Sequence, residues 1–283
     1  MSKSDVLIWQ VDAFTDEPFG GNPAAICVLP EYSSDEWMQQ LASEMNLSET
    51  AFLVPLGDPS SYQLRWFTPN VEVDLCGHAT LAAAHVLWEQ GLVEEDATVR
   101  FQTRSGELAC TRGEFGITLD FPASDCSPVD DAQLVSDLKL AMGIDHATVF
   151  ESPFDLLMVV ESREIVMELQ PNFHLLNDIP TRGVIVTAED DRDEVDFVSR
   201  FFAPRCGIDE DPVTGSAHCC LAPYWSKRLN ARMLVGHQAS RRGGMVRCGV
   251  VGDRVRLTGD AVTVFEGCLK ISVPTVDEQR DTK

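Results

Sequence analysis

Two helical segments with a shared design constrain the fold of this chain more than any other feature. The stretch "GHATLAAAHVLWEQGL" begins at Gly77, and "GSAHCCLAPYWSKRL" begins at Gly215. The centre of the first, "TLAAAHVLW", is apolar on nearly every face, which is typical of a helix enclosed by sheet rather than lying on a surface. The pattern therefore predicts two sheets, each wrapped around a central helix.

The sequences around these helices repeat in the same order, which indicates an internal duplication. "RWFTP", ending at Pro69, matches "RFFAP", ending at Pro204, and "FQTRSGEL" matches "HQASRRGGM". A cluster of Pro, Ser and Asp in "ASDCSPVDDAQ" marks the boundary between the copies. We expect an α+β fold with an N-terminal half over residues 1–125 and a C-terminal half over residues 126–283, each a curled mixed β-sheet around its central helix.

The first fifty residues show the local signals of strands, a turn and a helix. "VLIWQVDAF" and "AAICVLP" have strand patterns, and the "GGNP" that starts at Gly20 supplies turn residues between them. "SSDEWMQQLASEM" predicts a helix capped by Ser33 or Ser34. In "NLSETAFLVP", a polar link leads into an apolar strand, so Ser48 and Glu49 stand where that strand begins.

The charge balance limits the partners that the chain can bind. The 283 residues include 22 Lys and Arg against 45 Asp and Glu, a formal net charge of −23. Such a field repels phosphate backbones, which argues against nucleic acid. An anionic substrate would need a local positive field, and helix N-termini can supply one.

Cysteine usage and the N-terminus favour a cytoplasmic protein. "MSKSDVLIWQVDAF" lacks a secretory signal pattern, and no apolar run is long enough to cross a membrane. The nine cysteines are odd in number and have no paired spacing, which is typical of reduced thiols rather than of a disulfide framework.

Small residues in "LCGHAT" and "VTGSAH" precede the two apolar helices. The first N–H groups of a helix have no partner within it and can bind an anion, such as a carboxylate. His78 and Asp211 flank these two turns. If the halves are related by pseudo-symmetry, both helix ends can face one cleft, where convergent polar groups indicate a functional site.

Four segments, in this order, resemble one known family. They are "VDAFTDEPFGGNPAAICVLP", "NLSETAFLV", "WFTPNVEVDLCGHATLAAAHVL" and "GIDEDPVTGSAHCCLAPYW". The sequence is similar to the phenazine biosynthesis-like (PhzF-like) family, within the diaminopimelate-epimerase superfamily, over essentially the whole chain. The resemblance implies two pseudo-symmetric α+β domains, an active site in the cleft between them, a homodimer, and catalysis without cofactor or metal.

The resemblance also implies an isomerase and assigns roles to residues. In the phenazine-pathway enzyme of this family, a dihydro-hydroxyanthranilate is isomerised by moving a proton between ring atoms. The acid/base Glu of the "SET" motif falls at Glu49, and its partners fall at His78 and Asp211. The expected substrate-binding residues are Ser48, Cys76, Gly77, Val213, Gly215 and Ser216.

Proton transfer between carbon atoms needs one group that takes a proton and returns it, and a carboxyl in an apolar cleft can do both. We therefore expect Glu49 to carry the proton of a small carboxylate substrate, with amides at the helix ends holding the carboxylate.

Two other functions are compatible with the fold. One is a non-catalytic binding or regulatory protein, which an intact Glu49, His78 and Asp211 disfavours. The other is an amino-acid epimerase or racemase with two Cys bases. Cys76 falls at the first thiol position, but the matching loop is Asp-Pro-Val-Thr-Gly, and Cys219 and Cys220 lie beyond it. No metal-binding or nucleotide-binding spacing is present, and His218 is expected to be structural.

Overall fold

A computed structural model describes residues 6–271 of the chain. The ends of the two predicted halves, residues 1–5 and 272–283, lie outside the described residues. The helices are α1 Asp35–Met45, α2 Gly77–Glu89, α3 Ala132–Met142, α4 Arg163–Glu168, α5 Phe173–Asp178 and α6 Gly215–Leu229. The strands are β1 Val6–Ala13, β2 Asn22–Val28, β3 Glu49–Pro55, β4 Ser61–Phe67, β5 Glu72–Val73, β6 Val99–Thr103, β7 Gly106–Gly113, β8 Gly116–Pro122, β9 Ser127–Pro128, β10 Thr148–Glu151, β11 Asp155–Val159, β12 Gly183–Glu189, β13 Phe197–Ala203, β14 Ile208–Asp211, β15 Met233–Gln238, β16 Gly244–Val251, β17 Arg254–Gly259 and β18 Ala261–Leu269.

The described chain divides into two compact units. Unit 1 runs to Asp120 and resumes at Thr258, and unit 2 spans Phe121–Leu257. The predicted C-terminal half runs from residue 126 to residue 283, whereas the segment from Thr258 groups with unit 1. The physical reason is β18, which pairs antiparallel with β1 from Val6↔Leu269 to Ala13↔Ala261 and so adds a strand to the first sheet.

In unit 1, the sheet follows the order β18, β1, β2, β3, β4, β6, β7. The pairs β1–β2, β3–β4 and β6–β7 are antiparallel, and the pairs β2–β3 and β4–β6 are parallel. Helix α2 contacts β1, β2, β3 and β18. Ten of its side chains are buried, from His78 to Trp88. The expectation of an apolar helix covered by sheet is confirmed for this helix, and its burial explains why it shows no polar face.

In unit 2, the sheet follows the order β10, β11, β12, β13, β15, β16. The pairs β10–β11, β12–β13 and β15–β16 are antiparallel, and the pairs β11–β12 and β13–β15 are parallel. Helix α6 contacts β15 and β16, and nine of its residues are buried, including Trp225. The two units thus share one alternation of strand directions, from β1 to β7 in the first and from β10 to β16 in the second.

Two local features in unit 1 follow from residue chemistry. Gly21 has φ +57°, and a Cβ added there would lie 2.1 Å from the carbonyl oxygen of Ala13, so only glycine fits between β1 and β2. Helix α1 begins after Ser34, whose hydroxyl accepts a hydrogen bond from the Trp37 amide at 3.1 Å. One of the two predicted serine caps is confirmed.

Candidate active site

Two strands and one helix of unit 1 bring the predicted acid/base residues together. Glu49 is the first residue of β3, and parallel pairing sets it beside Ala24 of β2. His78 is the second residue of α2, which contacts both strands. Glu49 and His78, which the sequence analysis assigned to one site, are therefore in contact.

The contact between these two residues is an ion pair in a largely buried position. Glu49 Oε2 lies 2.9 Å from His78 Nε2, and the side chains are 13% and 6% exposed. Within residues 6–271, however, Oε2 has no hydrogen bond of good geometry. The two observations agree if the N–H of the ring points away from the line joining the atoms. The Glu49 carboxylate is thus held by the charge of the His78 ring, and its buried Oε2 has no hydrogen-bond donor aligned with it.

Asn22 and Cys76 complete the surroundings of the His78 ring. Asn22 Nδ2 lies 3.1 Å from His78 Nδ1, and Cys76 Sγ lies 3.6 Å from the same nitrogen. An amide with Nδ2 toward the ring donates to an unprotonated Nδ1, whereas an amide with Oδ1 toward the ring accepts from Nδ1–H. The orientation of the Asn22 amide therefore depends on whether Nδ1 of His78 carries a hydrogen.

The charges in this cluster act in opposite directions. Burial disfavours the charged His78 ring, but the nearby Cys76 and Glu49 side chains outweigh it and raise the pKa of His78 well above its ordinary value. Burial and the Glu49 charge raise the pKa of the Cys76 thiol to about 11, so this thiol is protonated at neutral pH. The charge that stabilises the protonated ring at neutral pH is then that of Glu49.

Glu49, Cys76 and His78 also form a candidate metal-binding group. One donor atom of each lies within 4.8 Å of the other two, and oxygen, sulfur and nitrogen are all ligands of zinc. Two tetrahedral N and O ligands of one zinc ion stand about 3.3 Å apart, given metal–ligand bonds of about 2.0 Å. The 2.9 Å between His78 Nε2 and Glu49 Oε2 is closer to a direct ion pair.

The start of α2 leaves helix donors available. Its N-cap is Cys76, which makes no side-chain capping bond to the helix, and Gly77 adds no side chain in the first turn. Ser48 is half-buried and directly precedes β3. Three predicted substrate-binding residues are sequence neighbours of Glu49 or His78 and share their part of unit 1. They are Ser48, Cys76 and Gly77.

The other predicted site residues lie in unit 2, from the end of β14 to the first turn of α6. Thr214 donates from its hydroxyl to the Asp211 carboxylate and from its amide to Gln238 Oε1 at 2.8 Å. Gln238 Nε2 in turn donates to the Asp211 carbonyl oxygen at 2.8 Å. Val213 is fully buried, with 0% exposure. Gln238 therefore fixes the loop that carries Asp211.

Helix α6 begins at Gly215, and the second residue, Ser216, receives a hydrogen bond. Arg182 Nη2 donates to Ser216 Oγ at 3.0 Å, and the same guanidinium makes a two-bond pair with Asp155. Asp155 is buried, with a side chain 3% exposed. Phe154 and Phe201 lie against the guanidinium of Arg182. A buried carboxylate thus orients the arginine that holds Ser216.

Four of these residues are not among those predicted from the sequence: Asn22, Asp155, Arg182 and Gln238. For Asn22 a signal existed, because it stands in the "GGNP" turn within a segment that carries the family resemblance. The other three are brought to the loop and to Ser216 from separate strands and turns, and no spacing along the chain predicts that arrangement. Tertiary pairing alone reveals them.

His218 has the structural role expected for it. Its ring Nδ1 donates to the Thr214 carbonyl oxygen at 2.8 Å, and the residue has 0% exposure. Burial lowers the pKa of His218 to about 4, so the ring is neutral at physiological pH. Its neighbours Cys219 and Cys220 are buried on α6.

Along residues 6–271, none of the helices combines the length and the apolar character that a membrane crossing requires.

Comparison with known proteins gives the family and the class of enzyme. The family described as phenazine biosynthesis-like protein matches residues 11–267. A relative from Halalkalibacterium halodurans, named as an uncharacterised isomerase, is 53% identical over 91% of this chain and 96% of its own. The prediction that the chain is an enzyme of the isomerase class is confirmed.

Solved structures agree with the fold. A PhzF-family phenazine biosynthesis protein from Enterococcus faecalis has a TM-score of 0.86 and 43% identity, over 94% of this chain and 100% of the other. A hydroxyproline epimerase from Agrobacterium vitis has a TM-score of 0.61 at 13% identity, over 96% and 94%, which shows a shared fold alone. The expected mixed-sheet fold of the PhzF and epimerase type is confirmed. The chain belongs to the phenazine biosynthesis-like (PhzF-like) protein family.

Proposed function

We propose that this isomerase moves a proton between two atoms of a small carboxylate-bearing substrate, with Glu49 as the acid/base group. The observation that carries the proposal is the buried Glu49–His78 pair, in which Oε2 lies 2.9 Å from Nε2 and lacks an aligned hydrogen bond. Oε2 is buried against His78, so the other oxygen of the carboxyl group is the one that we assign to take the proton of the substrate. His78 and its charge then stabilise the carboxylate form.

The proposed isomerisation neither gains nor loses a proton overall. Glu49 takes a proton from one substrate atom, becomes a carboxylic acid, and returns the proton to a second atom as the double bond shifts. His78 stays within reach of Oε2 throughout and orients the carboxyl group. A cyclic unsaturated substrate, of the dihydro-hydroxyanthranilate kind, has two such atoms in one conjugated system.

The loop before α6 supplies the proposed binding groups for the substrate carboxylate. Ser216 accepts a hydrogen bond from Arg182, so its own hydroxyl hydrogen remains available to donate to an anion. The amides of Gly215 and Ser216 open a helix of 15 residues, whose N-terminal end favours negative charge. Asp211 and Val213 are proposed to shape this binding loop. Ser48, Cys76 and Gly77 are proposed to contact the substrate beside Glu49.

Five further parts of the prediction remain proposals or predictions. Proton transfer through a carboxyl group needs no cofactor, and we propose that none is used. The shared alternation of strand directions in the two sheets supports an internal duplication with pseudo-symmetry. The homodimer, the single cleft that serves both helix ends and the cytoplasmic location stay predictions.

A racemase with two thiol bases is not favoured. Such an enzyme needs a second thiol on the opposite face of the substrate from Cys76. Cys219 and Cys220, the nearest thiols after the loop, are 7% and 2% exposed within α6. A purely binding protein is disfavoured because three bacterial relatives at 47–53% identity are named as isomerases.

The test is proton exchange in D₂O, followed by NMR, on dihydro-hydroxyanthranilate and a panel of small cyclic or unsaturated amino and hydroxy acids. We expect deuterium to enter one carbon with wild type, and exchange to fall by about 10²- to 10⁴-fold with Glu49→Gln. Glu44→Gln, a change of an exposed acid on α1, is the matched control. Equal exchange by Glu49→Gln and wild type would remove Glu49 from the mechanism.

Ser216→Ala separates binding from proton transfer. This variant should raise KM while Glu49-dependent exchange at saturating substrate persists, because only a carboxylate contact is lost. A fall in kcat with unchanged KM would assign Ser216 to the chemical step instead.

A further inference from the structure

Each unit contains an arginine that makes a two-bond ion pair shortly before its central helix. In unit 1, Arg65 donates from Nε to Glu72 Oε1 and from Nη2 to Glu72 Oε2, both at 2.7 Å. In unit 2, Arg200 donates from Nε to Glu210 Oε1 at 2.7 Å and from Nη2 to Glu210 Oε2 at 3.0 Å. The same atom types therefore make the same two bonds in both units.

Both arginines also lie against a phenylalanine on their own strand. The guanidinium carbon of Arg65 is 5.1 Å from the ring centre of Phe67, and that of Arg200 is 4.9 Å from the ring centre of Phe202. The four charged side chains of the two ion pairs are mostly withdrawn from water, with exposures between 12% and 20%. We call Arg65, Phe67 and Glu72 the unit 1 clamp, and Arg200, Phe202 and Glu210 the unit 2 clamp.

The two clamps occupy matching places in the sequence. Arg65 is the first residue of "RWFTP" and Arg200 is the first residue of "RFFAP", the two segments whose match indicates an internal duplication. The clamp glutamate lies five residues before Gly77 in unit 1 and five residues before Gly215 in unit 2. An arrangement that recurs at matching places argues for a common role.

The glutamate of each clamp lies where the chain leaves the sheet for the central helix. Residues 74–76 join β5 to α2, and residues 212–214 join β14 to α6. Each link has three residues and spans at most about 10 Å, so the end of the strand limits where the first turn of the helix can lie. That first turn contains His78 in unit 1 and Ser216 in unit 2, and Asp211 is the last residue of β14.

Each arginine also connects its strand to a neighbouring helix. Arg65 Nη2 lies 2.8 Å from Oδ1 of Asp35, the first residue of α1. Arg200 Nη1 donates to the carbonyl oxygens of Leu169 at 2.7 Å and Val166 at 3.3 Å, at the end of α4. A guanidinium has five donors in one rigid plane, so a single side chain can hold two strands and a helix in one arrangement.

We propose that the two clamps position the site residues of their own units. The unit 1 clamp holds the end of β5 so that His78 meets Glu49. The unit 2 clamp holds the end of β14 so that Asp211 and Ser216 keep their places in the proposed binding loop. The charged residues of the clamps are positioning residues, since none of them is proposed to touch the substrate. This inference rests on the proposed function of the site.

Two exposed ion pairs provide matched controls. Arg100 Nη1 lies 2.9 Å from Glu107 Oε1 in unit 1, and Lys227 Nζ lies 2.9 Å from Asp125 Oδ1 in unit 2. All four side chains are exposed, and neither pair belongs to a link before a central helix. Exposed pairs of this kind contribute little to a fold. Glu107→Gln and Asp125→Asn should therefore leave kcat and KM at the wild-type values.

The test compares Glu72→Gln with Glu210→Gln, each of which removes the carboxylate of one clamp. Glu72→Gln should shift the ring resonances of His78 and lower kcat for proton exchange by about tenfold, because the ring is displaced from Glu49. Glu210→Gln should shift the amide resonance of Ser216 and raise KM by about tenfold, because the binding loop is displaced. We expect each variant to leave the resonance that reports the other at its wild-type position.

A second pair of variants separates the clamps from other contacts of the glutamates. Arg104 Nη2 also lies 2.7 Å from Glu72 Oε2, so Glu72→Gln removes two contacts at once. Arg65→Lys and Arg200→Lys leave these glutamates in place and keep the positive charge, but a lysine cannot make the two parallel bonds. They should reproduce the effects of the glutamine variants. They also serve if a glutamine variant folds poorly, which circular dichroism and urea unfolding check.

The proposal is overturned if folded Glu72→Gln and Glu210→Gln match the exposed-pair controls in kcat, KM and both resonances. It is also overturned if both variants change kcat and KM alike while the His78 and Ser216 resonances stay in place. Failure of the proposed function would look different. Glu49→Gln would then exchange deuterium as fast as wild type, whereas the resonance shifts need no substrate and would still support the clamps.

Discussion

Glu49 Oε2 and His78 Nε2 lie 2.9 Å apart, although one residue opens a strand and the other belongs to the first turn of a helix. The pair exists because β3 runs parallel to β2 and α2 lies against both strands. Both side chains are largely withdrawn from water, so the charge of each depends strongly on the other. The proposed proton exchange, the response to metal and the charge of the His78 ring are therefore all expected to depend on this one contact.

Glu49→Gln should lower the pKa of His78. The carboxylate charge that favours the protonated ring is lost, whereas the burial that disfavours it remains. An NMR titration of the imidazole resonances measures this directly, with Glu44→Gln as the control. A His78 ring that titrates identically in both variants would show that Glu49 does not set its charge.

Asn22→Leu should reduce proton exchange by about tenfold, with the loss in kcat rather than in KM. Asn22 faces His78 Nδ1 at 3.1 Å and is fully buried, so the change removes the group that orients the ring. The ring resonances of His78 should shift as well, which a purely structural role would not require. An unchanged His78 spectrum beside a stable fold would contradict this positioning role.

Arg182→Met should destabilise the protein by about 2 kcal/mol, since it leaves the buried Asp155 carboxylate without its partner. This figure lies below that for a fully buried pair because the arginine is 40% exposed. The double variant Arg182→Met/Asp155→Asn should recover part of the loss, because no charge is then left unpaired. Urea unfolding of wild type, the two single variants and the double variant gives the coupling free energy between the two side chains. If the two single changes simply add in the double variant, the pairing is refuted.

His218 should make the free energy of unfolding depend on pH in the acidic range. Its folded-state pKa of about 4 lies below the ordinary 6.5, so the unfolded chain binds more protons between these values. The neutral His218 ring therefore contributes about 3 kcal/mol to the free energy of unfolding above pH 6.5, and this contribution is lost as the pH falls through about 4.

Urea unfolding at a series of pH values measures this effect. His218→Asn should flatten the curve across the window, whereas Leu221→Ala, a core change in the same helix, should lower stability by about 3 kcal/mol and keep the wild-type slope. Parallel curves for wild type and His218→Asn would assign the acid sensitivity to other groups.

Removal of metal should leave proton exchange intact. The 2.9 Å separation of His78 and Glu49 fits a direct ion pair, and the proposed chemistry uses only a carboxyl group. Exchange measured before and after treatment with a chelator, and again with added Zn²⁺, tests this point. Loss of exchange on chelation with recovery on Zn²⁺ would instead make Glu49, Cys76 and His78 metal ligands. Inhibition by Zn²⁺ alone is expected, because the three donors lie within 4.8 Å.

Local chemistry and pattern determined much of this protein from the sequence. The apolar faces of "TLAAAHVLW" indicated an enclosed helix, Ser34 could cap α1, and the "GGNP" residues indicated a turn between two strands. These outcomes depend on a few neighbouring residues, so a sequence shows them directly. The motifs around Glu49 and His78 also identified the family, because four separated segments agreed.

The tertiary structure decided what depends on residues far apart in the chain. Only strand pairing shows that β18 returns to β1, which moves the segment after Thr258 into unit 1. Only the meeting of separate elements reveals that Asn22 faces His78 and that Asp155 orients Arg182 toward Ser216. The positions of these partners are set by the register of strands and by the burial of charge, and neither leaves a periodic signal in the sequence.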